Sequence, residues 1–164
     1  MMKKTEKGIV VMDIAKTDTF EVRLVWAKCP SWADTSQYLG VDYYINGVSL
    51  LDMIREVEKP YFDEEGHPEL TVDYGLNSVK VMRKQFARAL KDDEVIDLYC
   101  CSECGFSDCW SVCCRFEEDG DFIVMKDFEH NHRDLTYPFE FRFAKENYNK
   151  EISKLYLVKN EFAK

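Results

Sequence analysis

The feature that most constrains the fold is a run of three β-type stretches at residues 94–104, 109–117 and 122–128, separated by short turns. Each stretch has the length and the aromatic and β-branched content of a strand. The last two are joined at Asp119-Gly120, which is a turn dipeptide. Strands joined by tight turns pair antiparallel, because a parallel pair needs a long crossover. The sequence therefore predicts a β-meander in its C-terminal half.

Further strands are predicted in the N-terminal half. Residues 20–26 alternate apolar and polar side chains, and a turn at residues 16–19 predicts a hairpin with residues 9–14. Residues 41–45 run into Asn46-Gly47, which readily takes positive φ and ends a third strand. One more strand is indicated by alternating phenylalanines near the C-terminus, namely Phe139, Phe141 and Phe143.

Three helices are predicted from their caps and periodic apolar residues. Ser49 caps the first, with Asp52 three residues on, and this helix is expected to end at Pro60. Asn77-Ser78 caps the second, whose core-facing stripe is Val79, Met82, Phe86 and Leu90. The last helix has its apolar face at Tyr148, Ile152 and Leu155.

These elements define one α+β domain over residues 1–164, with a largely antiparallel sheet of about seven strands and about three helices. The length of 164 residues suits one core, and 46% hydrophobic residues are enough to form it. A net charge of −9 disfavours nucleic acid and membrane surfaces as partners. The apolar run at residues 8–15 is interrupted by Asp13 and is too short for a signal peptide or a membrane span, so we expect a cytoplasmic protein.

Seven cysteines, six of them between Cys100 and Cys114, are the most unusual local feature. An odd and clustered number favours reduced thiols or a metal site over a secreted disulfide framework. If Cys100 pairs with Cys114, the two strands divide cleanly into an apolar and a polar face. This register predicts that Cys100, Cys104 and Cys114 are buried and that Cys101 lies beside Cys113 on the outer face.

Two interpretations of the cysteine tract stay open. The favoured one is that the thiols are ordinary buried or half-buried side chains and that no metal or cofactor is bound. The alternative is tetrahedral zinc with four ligands, Cys101, Cys104, Cys109 and His132, or with His130 in place of His132. Strand alternation opposes zinc, because it points Cys101 and Cys104 to opposite faces unless a turn begins at Ser102. Acidic neighbours raise thiol pKa and disfavour thioredoxin-like chemistry.

Residues 127–134 place two imidazoles among carboxylates just beyond a predicted strand, where loops often carry function. An enzyme or zinc-dependent regulator would combine the turn at residues 104–109 with Glu129, His132 and Arg133. The plain alternative is an ion pair of Asp127 with Arg133 in a polar turn. No Gly-rich phosphate loop, G-x-S-x-G elbow or H-E-x-x-H helix is present in the sequence, so no standard catalytic motif supports an enzyme.

The motifs at residues 104–110 and 127–133 resemble a family of small, uncharacterised bacterial proteins. In that family a Cys-Gly-x-x-Gly-Cys-Trp turn precedes an Asp-Phe-x-x-x-His-Arg segment, and similar flanking stretches extend the resemblance over residues 41–155. Asp108 replaces the second glycine, and Ser102 stands where the family has the first cysteine of a Cys-x-Cys pair. The resemblance implies a bacterial cytosolic protein and no assigned activity.

The function expected from these observations is a non-enzymatic protein-interaction role, either immunity-like or accessory. Acidic charge, small size and aromatic residues suit a protein partner better than a small substrate. The expected anchor surface is an aromatic cluster in or beside the loop at residues 30–40, formed by Trp32, Tyr38, Tyr43 and Tyr44. The enzyme or zinc-dependent regulator described above is the alternative.

Overall fold

The structure is a computed structural model that describes the chain in seven stretches, residues 2–4, 10–12, 17–29, 36–64, 74–91, 94–107 and 109–163. Within them the backbone forms strands and three helices. In chain order these are β1 (Met2–Lys4), β2 (Val10–Met12), β3 (Phe20–Lys28), β4 (Gln37–Ile45), β5 (Val48–Ser49), α1 (Leu50–Glu64), β6 (Tyr74–Leu76), α2 (Val79–Arg88), β7 (Ile96–Cys101), β8 (Val112–Asp119), β9 (Phe122–His130), β10 (Phe141–Ala144), α3 (Lys145–Tyr156) and β11 (Phe162–Ala163).

The smaller sheet is built on the long pairing of β3 with β4. The two strands run antiparallel from Phe20 opposite Ile45 to Lys28 opposite Gln37. β11 and β5 also pair with β4, so the sheet order is β11-β4-β3 and β3 is an edge strand. After β4 the chain turns at Asn46 (φ 52°) and Gly47 (φ 78°), which is the backbone that a two-residue hairpin turn requires. The predicted end of this strand is confirmed.

The predicted hairpin between residues 9–14 and 20–26 is wrong. Among the described residues, β2 pairs with β1, with Met12 opposite Met2, and the strand beside β3 is β4. The reason lies in length: β3 and β4 match over nine positions, and each matched position adds ladder hydrogen bonds and cross-strand contacts. A strand of three residues such as β2 could form far fewer of these hydrogen bonds and contacts.

Helix α1 begins as predicted and ends later than predicted. The N–H of Asp52 donates to Ser49 Oγ at 3.2 Å, which confirms the cap. The helix then passes through Pro60 and runs to Glu64, so the predicted end at Pro60 is wrong. An interior proline costs about 3 kcal/mol. Burial of Phe62, which is 3% exposed, offsets a cost of that size, since burying a phenylalanine contributes about 1.5–3 kcal/mol.

The predicted meander is confirmed. β7, β8 and β9 are successive neighbours, and β10 and β6 complete an antiparallel sheet in the order β10-β9-β8-β7-β6. Gly120, with φ 59°, lies in the turn between β8 and β9. The α+β class and the antiparallel pairing are therefore as expected. The expected single sheet of about seven strands is instead divided between this five-stranded sheet and the four-stranded sheet around β4.

The predicted pairing of the cysteine hairpin is wrong by four residues. Cys114 lies opposite Ile96 instead of Cys100, and Cys113 lies opposite Asp97 instead of Cys101. The difference arises because β7 ends at Cys101 and β8 begins only at Val112, so no tight turn joins the two strands. The predicted register requires a tight turn, whereas this connection is longer and contains its own hydrogen bonds, such as the one from Gly105 N–H to Cys101 C=O.

The burial of the cysteines follows from this register. Cys100 and Cys114 are buried, as predicted. Cys104 is only half-buried because it lies in the turn, and Cys101 and Cys113 are buried where the prediction placed them on an outer face.

Helices α2 and α3 supply the core with the predicted side chains. Ser78 caps α2 by accepting from the N–H of Val81 at 3.2 Å. The buried residues of α2 are Val79, Met82 and Phe86, and those of α3 include Tyr148, Ile152 and Leu155. The longest helix, α1, has 15 residues. No helix in the described stretches combines the length and apolar character needed to cross a membrane.

An aromatic cluster joins both sheets to these helices. Phe86 of α2 lies with its ring centroid 5.5 Å from that of Phe116 on β8, and Phe116 lies 5.5 Å from Tyr148 on α3. Phe20 on β3 lies 5.9 Å from Tyr148 and 6.2 Å from Tyr43 on β4. One continuous core thus includes both sheets and the helices α2 and α3.

Candidate functional site

The end of β9 and the cysteine turn are held together by Asn131. Its Oδ1 accepts from the N–H of Ser111 at 2.9 Å, its Nδ2 donates to Ser107 C=O at 2.7 Å, and its own N–H donates to Ser111 C=O at 3.1 Å. These bonds fix the turn that carries Cys109 and Trp110 beside the histidine segment. The predicted proximity of the two motifs is therefore present.

Three of the four proposed zinc ligands come together. The Sγ atoms of Cys101, Cys104 and Cys109 all lie within 4.8 Å of one another. In the described part of the chain, His132 does not belong to this cluster. Its ring lies instead against Trp110, with 6.3 Å between ring centroids.

Two thiols of this cluster, those of Cys101 and Cys109, have pKa values shifted in opposite directions. Burial works to raise the pKa of the Cys101 thiol, but hydrogen bonds from the backbone N–H groups of Cys104 and Glu103 and from the thiols of Cys109 and Cys104 outweigh it, so the pKa is lowered. The hydrogen bond to the Cys101 sulfur raises the pKa of Cys109 to about 11. Cys101 therefore ionises more readily than Cys109, whose thiol donates a hydrogen bond to the Cys101 sulfur.

The other cysteines have the electrostatics of core residues. Burial raises the pKa of Cys100 to about 12 and that of Cys113 to about 11, and it raises the pKa of Cys114 strongly. These thiols stay protonated at neutral pH and behave as small apolar side chains. The interpretation of ordinary buried thiols thus fits Cys100, Cys113 and Cys114.

The two histidines have different surroundings. His130 is 6% exposed, and its Nδ1 accepts from the N–H of His132 at 3.0 Å. Its Nε2 has no hydrogen-bond partner among the described residues. Burial, together with the charges of Arg133 and His132, lowers the pKa of His130 to about 4. His130 is therefore a neutral imidazole at pH 7.

Arg133 lies among aromatic rings. Its guanidinium carbon is 5.0 Å from the ring centroids of Phe62 and Trp110 and 5.6 Å from that of Tyr61. This cation–π packing was not predicted from the sequence, which indicated only an ion pair of Arg133 with Asp127. Glu129, near the end of β9, is exposed and lines one cavity together with His130 and Arg133. The grouping of Glu129, His132 and Arg133 around one reacting centre stays a prediction.

A buried carboxyl group was missed by the sequence analysis. Glu58 on α1 is 2% exposed, and its Oε1 accepts from the hydroxyls of Tyr74 at 2.5 Å and Tyr137 at 2.6 Å. Burial raises the pKa of Glu58, which the two hydrogen bonds oppose. The three residues lie far apart in the sequence, so no local pattern could have grouped them.

The second missed feature is an edge of the smaller sheet. Thr19 C=O accepts from Asn46 N–H at 2.9 Å, and Cys29 N–H donates to Ser36 C=O at 3.1 Å. The backbone N–H and C=O groups of odd-numbered residues of β3 therefore point towards β4. The N–H and C=O groups of even-numbered residues therefore point away from β4. We call those of Leu24, Trp26 and Lys28 the open edge of β3.

Helix α3 covers the first half of this edge with polar side chains. Asn147 bonds both N–H and C=O of Phe20, at 2.8 and 2.9 Å. Glu151 accepts from Val22 N–H at 2.9 Å, and Lys154 donates to Val22 C=O at 3.2 Å. This cover stops at Val22. The open edge has no hydrogen-bond partner among the described residues.

The expected aromatic anchor surface is only partly formed. Tyr43 is fully buried in the core. Tyr38 is half-buried, with its hydroxyl donating to Leu76 C=O at 2.5 Å, and Tyr44 lies under the guanidinium of Arg23 at 3.5 Å. Trp32 lies outside the described residues. Among the described residues the exposed tryptophan is Trp26, whose side chain is 47% exposed next to the open edge.

Comparison of the chain with family models, curated proteins and solved structures finds no match.

Proposed function

We propose that this chain is a non-enzymatic protein-interaction protein, immunity-like or accessory in type, that binds an extended segment of a partner along the open edge of β3. The observation that carries the proposal is the set of outward N–H and C=O groups at Leu24, Trp26 and Lys28, together with the half-exposed ring of Trp26. Strand addition of this kind obtains affinity from main-chain hydrogen bonds and specificity from alternate side chains.

The contrast with the rest of β3 supports this proposal. Proteins usually protect edge strands by covering, charging or shortening them. Here α3 satisfies both backbone groups of Phe20 and Val22 with side chains. The adjacent stretch has the same strand geometry and carries Val25 and Trp26, which are 42% and 47% exposed. A strand edge that carries exposed apolar side chains and that no described residue covers is typical of a surface that a partner covers.

The expected partner is a cationic protein that presents an extended segment with an apolar residue for Trp26. The net charge of −9 attracts basic partners at long range and disfavours a second copy of this chain. Tryptophan is the residue most often found as an energetic hot spot, because it buries a large area with few rotatable bonds. Trp26 is therefore expected to carry much of the binding energy.

A cytoplasmic location is part of the proposal. Seven cysteines, six of them between Cys100 and Cys114, are odd in number and clustered, which favours a reducing compartment over a secreted disulfide framework. The same compartment would supply the partner.

A photo-crosslinking amino acid at Val25 tests the proposal, because that side chain is exposed next to the open edge. The cross-linked partner is then purified and its affinity measured. Trp26→Pro removes one outward N–H and leaves the odd-numbered ladder to β4 intact, so it should weaken binding at least about 10-fold. Trp26→Phe keeps the N–H and a ring, and should weaken binding much less.

Hydrogen exchange of the complex gives a second readout. The amides of Leu24, Trp26 and Lys28 should gain protection on binding, while those of Val25 and Ala27, already bonded to β4, should change little. Unchanged exchange at the even-numbered amides, equal binding by Trp26→Pro, or cross-linking to a second copy of the chain would each refute the proposal.

A further inference from the structure

We propose that Cys101, Cys104 and Cys109 bind one zinc ion through three thiolates, with the fourth coordination position open at the protein surface. The proposal is independent of partner binding at β3, because the two sites lie on different sheets. It concerns the one cluster of metal-binding atoms found among the described residues.

The sulfur positions are close to those that zinc requires. All three Sγ atoms lie within 4.8 Å of one another. A tetrahedral site with Zn–S bonds of about 2.3 Å separates its sulfurs by about 3.8 Å. Side-chain adjustments of less than about 1 Å therefore bring the three thiolates around a common centre.

The backbone builds the cluster by ending the strand at Cys101. Gly105 adopts φ 76° and donates its N–H to Cys101 C=O at 2.9 Å, which turns the chain back at once. Cys109 N–H then donates to Phe106 C=O at 3.3 Å and returns a third thiol to the same place. Strand alternation no longer applies beyond Cys101, so Cys101 and Cys104 can face the same side.

The same turn stabilises negative charge on sulfur. Backbone N–H groups of Glu103 and Cys104 donate to the Cys101 sulfur. Such bonds favour the thiolate, which is the form that binds metal. Zinc binds thiolates, so its binding releases thiol protons and the affinity should rise with pH.

The ligand set selects the metal and its coordination. Thiolates prefer zinc or cuprous copper over hard cations such as magnesium and calcium. Structural zinc sites have four protein ligands, whereas sites with three protein ligands bind water or another small ligand in the fourth position. No fourth ligand belongs to the cluster in the described stretches, and Cys109 and Phe106 are exposed beside it. The fourth position therefore faces solvent.

Titration of the reduced full-length protein with Zn²⁺ against a chromogenic chelator tests the stoichiometry. One equivalent should bind. Co²⁺ in place of zinc should give the thiolate charge-transfer absorption and the visible bands of a tetrahedral site. Cys104→Ser and Cys109→Ser should each weaken affinity at least about 100-fold, since even loss of a supporting residue costs 10- to 100-fold. Cys109 is exposed, so its variant should fold normally.

Cys29→Ser and His132→Gln are the matched controls, and both should retain one equivalent of zinc and the Co²⁺ spectrum. Added imidazole should shift the visible bands by entering the open position. The absence of a one-equivalent site, or full binding by Cys109→Ser, would overturn the proposal. Loss of the site in His132→Gln, or bands that imidazole does not shift, would overturn the open fourth position.

Discussion

At the scale of single residues, His130 shows how burial sets the charge state of an imidazole. The imidazole lies between Tyr74 and Trp110, with ring centroids at 6.3 and 5.1 Å. One nitrogen accepts from the backbone of His132, so the other carries the hydrogen of the neutral ring. Protonation would place a second cation beside Arg133, which already lowers the pKa of His130.

Acidification should therefore destabilise the protein through His130. The pKa is about 4 when folded and about 6.5 when unfolded. Between these values the unfolded state binds more protons, so stability is lost as pH falls from about 6.5 to about 4. The free energy of unfolding in urea, measured across that range, should fall by about 1–2 kcal/mol more in wild type than in His130→Gln.

The pH dependence of stability must be compared between wild type and His130→Gln, because Glu58 changes stability with pH in the opposite direction. Its raised pKa means that the folded state holds the proton more tightly, so its contribution to stability decreases as pH rises through that region. Identical pH dependence in wild type and His130→Gln would show that His130 does not titrate in the unfolding transition.

At the scale of elements, α3 acts as a substitute strand beside β3. Asn147, Glu151 and Lys154 lie on one face of the helix at spacings of four and three residues. Their polar groups meet the N–H and C=O groups that a neighbouring strand would otherwise bond. A helix thus satisfies a sheet edge through side chains, and the reach of its last polar residue decides where the open edge begins.

Glu151 is the central member of this arrangement and is 6% exposed. It accepts from Val22 N–H at 2.9 Å and from Lys154 Nζ at 2.6 Å. Glu151→Ala should lower the free energy of unfolding by about 1.5–3 kcal/mol, because a buried N–H loses its charged acceptor. Glu151→Gln keeps an acceptor oxygen and should cost less. Chemical denaturation measures both.

Lys150→Ala is the control, since Lys150 is exposed on the same helix, and it should change stability by less than about 0.5 kcal/mol. Equal effects of Glu151→Ala and Lys150→Ala would mean that the α3 side chains do not stabilise the edge.

The elements that the sequence predicted well are those determined by local signals. Ser78 and the stripe from Val79 to Phe86 define α2, because a cap and a 3.6-residue period both lie within the helix itself. The passage of α1 through Pro60 could not be predicted in this way, since it depends on where Phe62 is buried. Local propensity fails where a tertiary contact of similar energy opposes it.

The candidate sites follow the same rule. Cys101, Cys104 and Cys109 could be named from spacing, because they lie close together in the connection between β7 and β8. The position of His132 could not be named in this way, because its ring lies against Trp110, 6.3 Å between centroids, and that contact is tertiary. The open edge of β3 could not be predicted at all, because it exists only through the pairing of β3 with β4 and the length of α3.

At the scale of the whole molecule, the two sheets meet at two junctions. At the first, Asp18 and Phe143 form a parallel bridge, and Asp18 N–H donates to Arg142 C=O at 2.7 Å. At the second, Gly40 and Ser78 form an antiparallel bridge. The two sheets are therefore joined through the backbone at both junctions, and they share a single continuous core.

The second junction requires a residue without a side chain. A Cβ placed on Gly40 would lie 2.7 Å from Leu76 Cβ, so the strands would have to move apart. That movement would strain the bond from Val41 N–H to Asn77 C=O, now 2.9 Å long. Gly40→Ala should therefore lower the free energy of unfolding by about 1–3 kcal/mol, as overpacking of a close contact does.

A double-mutant cycle with Leu76→Gly tests that cause. Removing Leu76 Cβ relieves the contact, so Gly40→Ala should cost at least about 1 kcal/mol less in the Leu76→Gly background than in wild type. Urea denaturation of the four proteins gives the coupling energy. Additive effects would show that Gly40 is required for some other reason, and an unchanged stability of Gly40→Ala would show that the two sheets do not meet this closely. A positive coupling would establish that the close approach of Gly40 to Leu76 stabilises the junction between β4 and β6.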